Sequence, residues 1–147
     1  MSSGYEVELT ETAEKVYLRA FEEAQVCIGR GDRTNSKVKH FRIIQEALDT
    51  IIPHDPFNPS RALSGSLSNI FRVKKGRVRL CYIGSSQQKK ITVLYISDTP
   101  RKEGDKQDPY AIFSKMVESG RLDNFFEALE IPVPSKRQLL ADLHPIQ

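Results

Sequence analysis

The chain has 147 residues, of which 39% are hydrophobic and 28% charged, with a net charge of +3. That is one domain's worth of ordinary globular composition, enough for a single core. It has no run near the roughly 18 apolar residues of a membrane helix, no basic-then-apolar secretory leader at Met1–Glu6, and only Cys27, Cys81 and three scattered histidines. A structural zinc site is therefore not expected, and the cysteines read as buried thiols of a reducing, cytoplasmic protein.

In chain order, Tyr5, Val7 and Leu9 alternate with Glu6, Glu8 and Thr10, the pattern of a strand with one buried face. Thr10 or Thr12 can cap a helix from Ala13 to Ile28, whose apolar residues Val16, Tyr17, Ala20, Phe21, Ala24 and Ile28 fall at helical spacing. Gly29–Asn35 breaks it. A second helix follows Asn35 or Ser36, with Val38, Phe41, Ile44, Leu48 and Ile51 as its stripe, His40 on its solvent side and Pro53 as its stop. Residues 53–69 read as a long loop, in which His54 shapes a turn.

Residues 70–83 then read as a β-hairpin. Phe71, Val73, Val78 and Leu80 alternate with Arg72, Lys74, Arg77 and Arg79. A two-residue turn at Lys75-Gly76 would set Val73 opposite Val78, Arg72 opposite Arg79 and Lys74 opposite Arg77. Ile91–Ile96 reads as a strand buried on both faces and so central in the sheet. A polar loop from Ser97 to Pro109 holds Arg101 and Lys102. Short helices are expected over Tyr110–Val117, Leu122–Leu129, with the Phe125-Phe126 pair in the core, and Ser135–Leu143. The order implies an α+β domain with a mainly antiparallel sheet, two N-terminal helices packed on one face, and a helical C-terminal extension. The expected division is a core over 1–117 and an extension of the same domain over 118–147.

Charge is unevenly placed. Nine of the 22 basic residues and one of the 19 acidic ones lie in residues 70–102, so the remaining chain is mildly acidic. Like charges facing one another across a hairpin are destabilising. Four cations on one face, with no acid beside them, therefore suit a phosphate backbone; the rival reading is a solvated edge whose cations block aggregation.

Leu63-Ser-Gly65, Phe71-Arg-Val73, Gly76-Arg-Val-Arg79, Tyr82, the apolar strand Ile91–Ile96 and the following Arg101 resemble, in order and spacing, the RelE/ParE superfamily, the toxins of bacterial type II toxin–antitoxin systems. The resemblance spans residues 5–117. It implies a ribosome-dependent mRNA endoribonuclease that needs no metal or other cofactor and leaves cyclic phosphate ends. It also implies Lys74, Arg79, Arg101 and Tyr110 as catalytic residues and Arg72, Lys75, Arg77 and Lys102 as RNA-binding ones. The implied partners are a cognate antitoxin, the ribosome and mRNA. The superfamily also contains ParE-like proteins that inhibit DNA gyrase without nuclease chemistry, and a silent RNA-binding module is the third reading. This chain departs from the pattern in its long Arg101–Tyr110 spacing, in having no histidine in or just after the strands, and in its tail beyond about 118.

Overall fold

Thr10 both ends the first strand and starts the first helix. In the computed structural model, which describes residues 4–63, 69–97 and 109–134, strand β1 is Glu6–Leu9 and helix α1 is Glu11–Gly29. The Thr10 hydroxyl accepts from the Ala13 N–H at 3.3 Å, and Glu11 and Glu14 occupy the positive N-terminal turn. Asn35 caps α2 (Ser36–Glu46) in the same way, its side-chain oxygen accepting from Lys37 N–H at 2.9 Å.

Pro53 does not stop the second helix where the sequence suggests. The backbone continues through a π-helical turn, Ala47–Ile51, into the short helix α3, Ile52–His54. A proline has no N–H and its ring crowds the carbonyl four residues back. The wider π turn just ahead of Pro53 relieves that crowding. His40 is also not solvent-facing: it is 8% exposed, one turn ahead of the buried Ile44.

Strands β2 (Ile70–Lys75), β3 (Val78–Ser85) and β4 (Lys90–Ile96) complete a four-stranded sheet in the order β1-β4-β3-β2. β2–β3 and β3–β4 are antiparallel, whereas β1 pairs with β4 in parallel. The sheet is therefore mixed, because two helices separate β1 from the hairpin strands. β4 is central as expected, and every residue after Lys90 is buried.

Helices cover both faces of the sheet. α1, α2 and α3 cover one, burying Ala13, Val16, Ala20, Ile44 and Ile52 against Phe71, Val73, Leu80, Tyr82 and Val93. On the other, α4 (Pro109–Glu118) and α5 (Asp123–Ala128) bury Phe113, Met116, Leu122 and Phe126 against Ile70, Cys81, Ile83, Leu94 and Tyr95. The expected single helical face thus becomes two, because the root of the hairpin is apolar on both sides. Phe126 lies in this second core and Phe125 packs against it. The expected helix at 135–143 lies outside the described residues.

The first part of the connection after α3, residues 55–63, is pinned to the sheet. Tyr82 donates its hydroxyl to the Pro56 carbonyl at 2.7 Å and accepts from Arg61 Nε at 3.3 Å. Asn58 caps a 3-10 turn at Pro59–Arg61. Tyr5, Phe57, Phe71 and Tyr82 follow one another in ring contact at 5.4–5.9 Å.

Candidate active site

The hairpin turn is Gly76-Arg77, one residue later than the sequence suggests. Lys75 pairs with Val78, Lys74 with Arg79, Val73 with Leu80 and Arg72 with Cys81. Gly76 has φ +57° and Arg77 has no positive φ, so the positive angle falls only on the first turn residue, as in a type II′ turn. A turn at Lys75-Gly76 of the mirror type I′ would have forced Lys75 into the left-handed region. Moving the turn by one residue slides the register by two, which keeps each side chain on its face.

Arg72, Lys74 and Arg79 therefore share the face opposite α1 and α2, as expected, with new partners. Lys74 and Arg79 are direct cross-strand neighbours, so two cationic side chains leave the sheet with their Cβ atoms about 5.5 Å apart or less. Arg72 faces Cys81. Arg77 is exposed at the turn. Lys75 leaves this group: it lies on the α2 face, its ammonium 2.6 Å from the Glu46 carboxylate. The expected four-cation face is a three-cation row with Arg77 at its tip.

Arg79 is held at both ends. Its Nη1 donates to the Gly76 and Val78 carbonyls, both at 2.9 Å. That commits Nη1 and restrains the guanidinium plane; the other edge, Nε–Nη2, is the one that can take two phosphate oxygens at once. Its backbone N–H donates to the Ser97 hydroxyl at 3.1 Å, and Ser97 N–H donates to the Arg79 carbonyl at 2.8 Å. Buried Ser97 therefore starts the segment after β4 beside Arg79. Sequence reasoning passed over Ser97; its signal was a small polar residue directly ending the run Ile91–Ile96.

A β-bulge prepares this arrangement. Cys81 pairs with Tyr95 while Tyr82 pairs with Val93, so Leu94 is the extra residue. Leu94 and Tyr95 both enter the second core. The Thr10 hydroxyl donates to the Leu94 carbonyl at 3.3 Å, satisfying the acceptor the bulge sets free. Tyr95 meets Phe113 of α4 at 6.0 Å, so a packed floor lies directly behind the cationic row.

Tyr110 is in the first turn of α4, three residues before Phe113; its side chain, Arg101 and Lys102 lie outside the described residues. Leu63 is buried and donates its N–H to the Ile70 carbonyl at 2.9 Å. Tyr82, the last residue of the hairpin motif, points to the helical face, where burial raises its hydroxyl pKa against the opposing pull of Arg61. It is a structural residue. Cys81 is also no nucleophile, since burial pushes its thiol up to about 12, with Arg72 pulling weakly downward. Among the described residues, no three His, Cys, Asp or Glu side chains gather as a metal site requires.

Arg79 is thus half-buried and anchored beside Lys74, an arrangement of charge that suits a phosphate group. A family model described as "toxin with endonuclease activity, of toxin-antitoxin system" matches residues 9–131. The chain belongs to this family, the YhaV toxins. The match runs from the end of β1 past α5 and so includes the whole hairpin. Among solved structures, the toxin–antitoxin complex RelBE2 from Mycobacterium tuberculosis is similar at 15% identity, with a TM-score of 0.46 over 66% of this chain and 93% of that one. Comparison with curated proteins gives no match. As a YhaV-family toxin, the protein has endonuclease activity and an antitoxin as its counterpart. The nuclease reading of the sequence thus stands over the gyrase-directed and silent-binding ones. Among the described residues, no helix is long and apolar enough to cross a membrane.

Proposed function

We propose that this toxin cuts mRNA on the ribosome by metal-independent transesterification. The 2′-hydroxyl oxygen attacks the adjacent phosphorus and loses its proton to a base. The bond from phosphorus to the 5′ oxygen breaks, that oxygen takes up a proton, and the upstream fragment keeps a 2′,3′-cyclic phosphate. Such a step needs fixed positive charge around the phosphoryl oxygens as the negative charge develops. The observation that carries the reading is the Lys74–Arg79 cross-strand pair, with the Arg79 fork oriented by two turn carbonyls. Arg79 holds the scissile phosphate, Lys74 lies beside the attacking hydroxyl, and Arg72 and Arg77 hold the flanking backbone. Arg101 would complete the charge on the leaving side and Tyr110 would orient the nucleotide.

The test is inducible expression of wild type and Arg79→Ala, with mRNA 5′ ends mapped and the 3′ ends assayed for cyclic phosphate. Wild type should arrest growth with new cuts in frame with the reading phase of translated messages. Losing one preorganised charge-stabilising donor costs about 10²–10³ in rate, so Arg79→Ala should abolish arrest. Cuts scattered without regard to reading frame would sink the ribosome-dependent reading.

A further inference from the structure

A second basic surface lies apart from the hairpin row. Residues 30–42 carry Arg30, Arg33, Lys37, Lys39 and Arg42 against one acid, Asp32, whereas α1 carries four glutamates against Lys15 and Arg19. All five cations are exposed. On α2, Val38, His40, Phe41 and Ile44 face the core. Lys39, Arg42 and Glu46 fall at i, i+3 and i+7, a single outward stripe. Glu46 is neutralised by Lys75 at 2.6 Å, and Ile43 lies against the hairpin turn, 3.1 Å from where a Gly76 Cβ would sit. The stripe thus continues from Lys39 and Arg42 through the Glu46–Lys75 pair to Arg77 at the tip. From Lys39 to Glu46 it covers about 10 Å of helix. Lys37 and Lys39 also stand near the positive N-terminal end of α2, where cations are disfavoured.

We infer that this ridge binds the phosphate backbone of double-helical RNA, anchoring the toxin while the hairpin face holds the strand to be cut. The inference rests on the ribosome-directed reading, since a ribosome offers such duplexes. The ridge's chemistry selects the occupant. Surfaces for single strands interleave cations with exposed aromatic platforms, and both aromatic side chains of α2 are buried. Protein interfaces have an apolar centre, and the exposed apolar side chains Leu18, Phe21 and Val26 belong to α1, outside the stripe of Lys39, Arg42 and Glu46. Exposed cations on a rigid helix, with the stripe's one acid paired to Lys75, match a duplex, whose bases are turned inward and whose phosphates are outside.

The test measures binding of the full-length toxin to a duplex of about 20 base pairs of 2′-O-methyl RNA, which has no attacking hydroxyl, across a salt series. Each phosphate contact contributes about 0.9 to the slope of log K against log salt for B-form DNA. The Lys39→Gln/Arg42→Gln variant should therefore bind at least tenfold more weakly with a slope lower by about two, at an unchanged melting temperature. The charge-preserving Lys39→Arg/Arg42→Lys variant should bind like wild type. Equal duplex binding by wild type and the glutamine variant overturns the proposal, as does a glutamine variant that loses only antitoxin binding. Ribosome binding is measured in parallel: wild type that holds the duplex and ignores ribosomes would sink the ribosome reading and leave the ridge standing.

Discussion

Cys81 shows how position outweighs proximity. It faces the Arg72 guanidinium across the hairpin, an arrangement that elsewhere activates thiols, yet burial dominates and leaves it protonated up to about 12. An ordinary thiol titrates near 9. Between those values the unfolded chain has released a proton that the folded chain retains, so the contribution is complete below pH 9 and is lost as pH rises toward 12. Wild type should therefore lose stability relative to Cys81→Val across that window, by about 1.4 kcal/mol per pH unit at most. Urea unfolding of both proteins at pH 8, 9, 10 and 11 checks this; parallel pH profiles would show that Cys81 is not the group responsible. Arg72, Lys74 and Arg79 were legible in the sequence because their alternation with valines is local. The partners that orient Arg79, Ser97 and two turn carbonyls, were not, since they depend on register.

At the scale of elements, the hairpin turn decides which cations meet. Gly76 supplies the one positive φ, and a Cβ there would also press on Ile43 of α2 at 3.1 Å. Gly76→Ala should cost at least about 1 kcal/mol through strain in the left-handed region, and displace the carbonyls that hold Arg79. A lowered urea midpoint together with weakened cleavage is the expected result; full cleavage would mean that the turn does not orient the guanidinium. The helices α1 and α2 and the central β4 were readable from periodicity because each buries a continuous stripe or run. The π turn before Pro53 and the bulge at Leu94 were not, because a proline can be accommodated in several ways and the bulge answers a pairing demand from another strand. The second helical face had a visible trace in Leu80-Cys-Tyr-Ile83, where alternation gives way to an apolar run.

At the scale of the whole molecule, the sheet is a plate between two cores, and the cationic row stands where the second core ends. Arg72, Cys81 and Tyr95 form one cross-strand row, while Lys74, Arg79 and Ser97 form the next. The first row is backed by Phe113 of α4 through Tyr95, and α5 completes that core through fully buried Phe126. Position and support are thus separable. Phe126→Ala should cost about 3–5 kcal/mol by removing transfer energy and opening a cavity, a large share of the 5–15 kcal/mol typical of a domain. For a chain of this size that corresponds to a melting temperature lower by roughly 6–20 °C. Arg79→Ala, by contrast, should leave melting nearly unchanged and remove cleavage. The discriminating measurement is cleavage at a temperature where Phe126→Ala remains folded by circular dichroism. If it retains activity per folded molecule, the second core serves the site only through stability. If activity falls further than the folded fraction, α4 and α5 also set the height of the floor on which the phosphate seat is built, and the tyrosine in the first turn of α4 is carried with it.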